Sequence, residues 1–319
     1  MLQSIWDDVR REFNYGNMVT RIIIVNVSFY VLINLIWIIL RLTHAWETPA
    51  IYDTIVDYLS LSSELKFNLL HPWVIFTHMF FHVGFWHILW NMLFMYWFGR
   101  IVGDFIGNQR VLPIYLLGGL AGAIVFFFSA KILPNSPNTI FNAYGASAAV
   151  MAIVTAAGAI SPDYIMRLLF LGDVKLKWIV FVLVFIDLMG IAGDVNTGGH
   201  FAHLGGALFG WVFVRQLRDG NDWSIPVNNI LNRIISFFTG LKTSPQKRRR
   251  PHVVYKNPNR TAGSRPKKKS KRGSGESASD DIDLTHQEQL DAILDKIKQS
   301  GYDSLSEAEK EFLFNASKK

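Results

Sequence analysis

The sequence predicts an all-α membrane protein: a bundle of six transmembrane helices with a cytoplasmic C-terminal tail. Three observations carry this prediction. Half of the 319 residues are hydrophobic and 14% are aromatic, and the mean hydropathy is positive. Six apolar segments recur along the chain, and a bilayer crossing takes roughly 20 such residues. The formal net charge of +7 is uneven, because the basic residues gather toward the C-terminus. There is no cysteine, which excludes disulfides, thiolate ligands and a cysteine nucleophile.

Residues 1–18 form a short polar lead with Trp6 and Phe13 as interfacial anchors. They lack the apolar core and small-residue cleavage site of a signal peptide, so the first span is expected to stay in the mature protein. The spans are Ile22–Leu40, Phe85–Ile106, Val111–Ala130, Asn142–Ser161, Lys177–Ile191 and His200–Leu217. Between the first two, Thr43–Trp73 reads as a long mixed loop resting on the membrane surface. Arg10, Arg11 and Arg21 precede span one, Arg100 and Arg110 separate spans two and three, and Arg167, Lys175 and Lys177 separate spans four and five. The positive-inside bias therefore places both termini in the cytoplasm, on a multi-pass protein of the cell membrane.

The remainder divides by pattern. Residues 1–218 are the six-span domain. Within 219–242, Val227, Ile230, Leu231, Ile234, Ile235, Phe238 and Leu241 recur at three and four, as in an interfacial amphipathic helix. Residues 243–284 make a basic linker with the composition of a disordered segment, suited to anionic lipid head groups. Base-stacking aromatics are nearly absent there, so nucleic acid is not an expected partner. Residues 285–319 read as a small helical hairpin, with Ser304 or Ser306 as a cap and Glu307 and Glu309 following. A cytoplasmic protein partner is expected for it.

The chemistry gathers on three spans. Ala148, Ala152 and Ala156 form a small-residue stripe beside Ser147, and Ala202, Gly206 and Gly210 form another beside His203. Such stripes let two membrane helices approach closely, which would bring a serine and a histidine together. Two readings stand: an activated nucleophile with its base, or side chains satisfied by backbone and neighbouring helices. His87 and Asn91, one turn apart on span two, are either oxyanion donors or interhelical hydrogen-bonding groups. His78 and His82 have the spacing of a metal pair, but no carboxylate completes a set, and the core reading is preferred. Asp187 caps, pairs or reaches water at the end of span five; Asp194 is expected to be solvated. No repeat of broken helices suggests a transporter.

In these motifs the chain resembles the rhomboid family of intramembrane serine proteases, over roughly Trp73–Leu217. The residues are Gly145-Ala146-Ser147-Ala148 in span four, Ala202-His203-Leu204-Gly205-Gly206 in span six and His87-Ile88-Leu89-Trp90-Asn91 in span two, with Phe76-Thr77-His78 and His82 upstream. The resemblance implies a six-helix rhomboid-like bundle and a serine endopeptidase with a Ser147–His203 dyad and no aspartate. It also implies an oxyanion site from His87, Asn91 and the backbone N–H of Ser147. The implied substrates are single-pass or polytopic membrane proteins, cleaved in or near their transmembrane segments. No cofactor or metal is implied, and span five with the loop before span six would gate access. Three residues depart from the family pattern: Ala148 for a glycine, Met151 for an aromatic and Val74 for an arginine. The alternative is a catalytically inactive rhomboid-like protein that binds membrane clients.

Overall fold

The computed structural model describes residues 2–132, 140–168, 171–193, 196–240, 293–297 and 304–316. Helix α1 spans Leu2–Tyr15 and α2 spans Met18–Thr43. The side chain of Asn17 starts α2 by accepting the N–H of Thr20 at 2.9 Å, which satisfies one of the first-turn donors. The segment predicted as a loop, 43–73, is instead built from α3 (Ala50–Leu59), strand β1 (Leu61–Ser62) and α4 (Leu65–Leu70). The short α5 (Val74–Thr77) leads on toward α6 (Phe85–Ile106). Local polar bonds fix this region. Asn68 accepts the N–H of Ser62 and donates to its carbonyl, and the Trp73 indole donates to Tyr58 O at 2.9 Å. Val74 is buried, so the arginine position of the family pattern is taken here by a packed side chain.

Helix α7 covers Val111–Ile132. The predicted fourth span is helical only from Ser147: Asn142–Ala143 is strand β2, antiparallel to β1 with Leu61 opposite Ala143, and α8 runs Ser147–Ile160. The extended pairing consumes the backbone that a longer helix would need. Strands β3 (Ile165–Leu168) and β4 (Gly172–Lys175) form a small hairpin before α9 (Leu176–Gly190). Then follow α10 (Thr197–Arg218) and α11 (Ser224–Gly240). Helix α11 falls within the range 219–242 read as amphipathic. Asp194, the basic linker and, of the predicted hairpin, residues 285–292, 298–303 and 317–319 lie outside the described residues.

Among the described residues the protein is all-α apart from these short strands. Among the described residues two helical stretches are, by length and composition, apolar enough to cross a membrane: Met18–Thr43 and Asn108–Ile132. Helix α8 is central, with every residue from Ala148 to Gly158 buried. Its alanine stripe is flanked by glycines on both neighbours. A Cβ at Gly118 or Gly122 of α7 would strike Ala152 or Ala148, and one at Gly206 or Gly210 of α10 would strike the α8 backbone at Ala148 or Ala152. The two stripes read from the sequence do pack together, and α7 adds a third. Thr155 locks the contact by donating to Ala207 O at 2.8 Å. Tyr115 of α7 joins α2 to the chain before α6, donating to Met79 O at 2.7 Å and accepting from Asn26 at 3.2 Å.

The described residues beyond 247 form a separate compact unit. Residues 293–297 and Glu307–Ala316 are helical. Ser306 and Glu309 make a reciprocal capping box: the Glu309 carboxylate accepts the Ser306 N–H at 2.7 Å and Ser306 Oγ accepts the Glu309 N–H at 3.4 Å. Lys296 pairs with Glu309 at 2.9 Å. These bonds, Lys296 first, hold the Glu309 carboxyl down to about 2.

Candidate active site

Ser147 is the first residue of α8 because the chain turns sharply before it. Gly145 sits at φ +120°, a conformation that favours glycine, and a Cβ there would lie 2.6 Å from the His87 ring. Two histidines brace this turn. The carbonyl of His78 accepts the Gly145 N–H at 2.8 Å, and Nε2 of buried His82 accepts the Ala146 N–H at 3.1 Å. His82 is therefore neutral, with its proton on Nδ1 toward Phe80 O. The α8 ladder begins at once, Val150 donating to Ala146 O at 2.8 Å. Ser147 thus stands at the positive end of the helix dipole, among N–H groups that have no partner within the helix.

Helix α6 presents His87 and Asn91 one turn apart. Asn91 gives one amide hydrogen to His87 O at 2.8 Å, and its second remains for another acceptor. His87 lies edge-on to His82, with ring centroids 5.1 Å apart.

Helix α10 carries His203. The resemblance implies a histidine with no aspartate partner; in this structure it has one. Nδ1 of His203 donates to Asp187 Oδ1 of α9 at 2.7 Å, and Nδ1 of His200 donates to the same oxygen at 2.8 Å. An ionised carboxylate only accepts, so both rings hold their proton on Nδ1 and Nε2 of His203 is left as an acceptor. Gly190 makes room for this cluster, since a Cβ there would strike the His200 ring. Asp187, His200 and His203 place one ligand-type atom each within 4.8 Å of one another. The same atoms already pair as two donors and one acceptor, so the group is complete as a hydrogen-bonded cluster.

Ser147, His203, His87 and Asn91, all four candidate residues, line a single cavity of about 730 Å³. Among the described residues no hydrogen bond joins Ser147 to His203; such bonds are often long before substrate arrives. Gly145, Asp187, Ala148 and Met151 share the lining, with Trp86, Trp90 and Phe94 from α6 and Leu183 and Ile186 from α9 as an apolar wall. Sequence reasoning missed the Asp187–His203 bond and the His82 brace. The one sequence signal for Asp187 was a carboxylate within an otherwise apolar span, which demands a partner. His82 lacked even that, because its partner is a backbone N–H.

Residues 70–219 match the Rhomboid domain model, and residues 284–319 match a family of unknown function. Presenilin-associated rhomboid-like protein A, mitochondrial, of Danio rerio is 28% identical over 172 residues, 52% of this chain and 42% of the relative. RHOMBOID-like protein 12, mitochondrial, of Arabidopsis thaliana is 29% identical over 166 residues, 49% of this chain and 48% of the relative. Rhomboid protease GluP of Bacillus subtilis (strain 168) is 26% identical over 138 residues, 43% of this chain and 25% of the relative. The chain spans about half the length of the mitochondrial relatives. The matched residues hold the serine turn, both histidine helices and the small-residue packing that joins them, and through residues 70–219 the chain belongs to the rhomboid family.

Proposed function

We propose that this chain is an intramembrane serine endopeptidase that cuts membrane proteins in or near their transmembrane segments. One observation carries the reading: Ser147, His203, His87 and Asn91 line one cavity beside an apolar wall. Ser147 Oγ attacks the scissile carbonyl carbon while Nε2 of His203 takes the hydroxyl proton. His87, Asn91 and the N–H of Ser147 hold the oxyanion, where one donor is worth roughly 3–4 kcal/mol. The tetrahedral intermediate collapses, the C–N bond breaks, and His203 passes its proton to the leaving amine. Water, deprotonated by the same histidine, then hydrolyses the acyl-enzyme.

The proposed topology is six spans, α2 and α6 to α10, with both termini cytoplasmic in the cell membrane. Supporting it, α2 and α9 expose large apolar side chains such as Val31, Leu35, Phe181 and Ile186, surfaces suited to lipid. The 14 residues of α8 reach about 21 Å against a hydrocarbon core of about 30 Å, so the serine end of α8 is recessed from the surface and reached by water. The relatives' names point instead to mitochondria, and fractionation of tagged protein decides between the two membranes. The basic linker 243–284 is proposed to bind anionic lipid, at about 1 kcal/mol per nearby basic residue, and the hairpin a cytoplasmic protein.

The test is labelling of purified protein in detergent by a fluorophosphonate probe. Wild type is expected to label; Ser147→Ala and His203→Ala are expected not to. An unlabelled but folded wild type supports the second reading, an inactive client-binding rhomboid, which the unbonded serine favours.

A further inference from the structure

Helix α9 is held to the bundle very unevenly. Of its 15 residues, only Leu176 and Asp187 are buried. Trp178, Phe181, Val182, Phe185, Ile186, Leu188 and Met189 are each about half exposed or more. Leu176 anchors the N-terminal end in the core, and Val180 packs over Gly158 of α8. At the C-terminal end the buried side chain is a carboxylate, and both its hydrogen bonds run to α10. A buried carboxylate is costly unless its oxygens are satisfied, and charge-assisted bonds of 2.7–2.8 Å are the strong kind. The same contact therefore pins α9 and sets the proton on His203.

We propose that Asp187 is a positioning residue for the peptidase reaction, fixing His203 as the Nδ1–H tautomer with Nε2 turned to Ser147 only while the C-terminal half of α9 is packed on α10. This rests on the endopeptidase reading. It makes the histidine's competence depend on the position of the most exposed helix bordering the cavity. If α9 swings out, His203 loses its carboxylate acceptor and water takes that place. His200, the second donor to Oδ1, keeps the carboxylate in place from the neighbouring turn. The chemistry is unchanged by the proposal: the proton of Ser147 still goes to Nε2, and Asp187 stays ionised throughout.

The experiment compares wild type, Ser147→Ala, D187N and D187E as full chains in detergent. The fluorophosphonate labelling rate is resolved into kinact and KI. Nitrogen-15 NMR of histidine-labelled protein reads which ring nitrogen of His203 is protonated, with His203→Asn supplying the assignment. In D187N the amide can donate to Nδ1, favouring the wrong tautomer. The expected result is a fall in kinact of about 100-fold or more, toward the ~10⁴-fold loss of a triad without its carboxylate, with KI little changed and the His203 proton on Nε2. D187E, which keeps the carboxylate, recovers part of kinact and the Nδ1–H form. Wild-type kinact in D187N, or lost kinact with the tautomer unmoved, overturns the proposal. If D187N does not fold, D187E decides: an Nε2–H tautomer there overturns it and an Nδ1–H tautomer supports it. A folded wild type that fails to label defeats the endopeptidase reading instead, while the NMR comparison still tests the hold of Asp187 on His203.

Discussion

Ala148 and Gly122 meet where there is room for one methyl group and not two. A Cβ at Gly122 would lie 2.5 Å from that of Ala148 and 2.8 Å from Ala202 O. The extra methyl relative to the family's glycine is thus housed by the bare backbone of α7. Gly122→Ala is expected to destabilise the bundle by about 1–3 kcal/mol, and adding Ala148→Gly is expected to recover part of that loss. Unfolding of the single and double variants in detergent checks it, and strictly additive effects would count against the shared space.

His82 and His78 are both buried before α6, but they hold the serine turn differently: His82 by its ring, His78 by its backbone carbonyl. His82→Leu strands the Ala146 N–H at a cost of about 1–3 kcal/mol and should slow fluorophosphonate labelling of Ser147. His78→Leu keeps the Gly145 bond and should slow it less. Equal slowing by both would deny the ring its role.

Gly145→Ala imposes both a backbone strain of about 1–3 kcal/mol at a positive φ and a collision with His87. The ring must shift. A displacement of ~1 Å can cost ~100-fold in rate, so the variant is expected to label far more slowly even where it folds. The labelling rate, normalised to the folded fraction, checks this.

Outside the helical bundle's interior, Asp222 receives the N–H and hydroxyl of Ser224 at 2.9 and 2.6 Å and the guanidinium of Arg110 at 2.7 Å. Burial pushes its pKa up, but the Ser224 and Arg110 bonds outweigh burial and hold it below the usual carboxylate value. The stabilisation is therefore present above the unfolded-state pKa of about 3.9 and fades as pH falls through the lower folded-state value. Asp222→Asn should lower the melting temperature at pH 7, with the difference from wild type shrinking below about pH 4. A difference that persists undiminished at pH 2–3 would rule this out.

The sequence made the small-residue stripes legible because helical spacing alone decides which residues share a face: Ala148 and Ala152 fall on one stripe, Gly206 and Gly210 on another. The cap of the last helix was legible as Ser304 or Ser306 for the same local reason, and the reciprocal bonds with Glu309 select Ser306. The Asp187–His203 bond was not, because it joins two helices whose facing sides depend on how a loop between them closes. Nor was the start of α8 at Ser147, which is fixed by pairing of Asn142–Ala143 with Leu61–Ser62, some eighty residues earlier. Long-range backbone pairing leaves no periodicity in so short a strand.

The composition of α8 has an entropic consequence. Ala148, Ala149, Ala152, Ala156, Ala157 and Gly158 have no rotamers to lose on burial, and Val150, Ile153 and Val154 are already confined to nearly one rotamer in a helix. Thr155 is tied by its hydroxyl. The helix that carries Ser147 is therefore ordered at little side-chain cost, and it holds one long, unbranched side chain. That chain is Met151, and it faces the cavity: on an otherwise stiff support, the adjustable surface is the one presented to whatever enters.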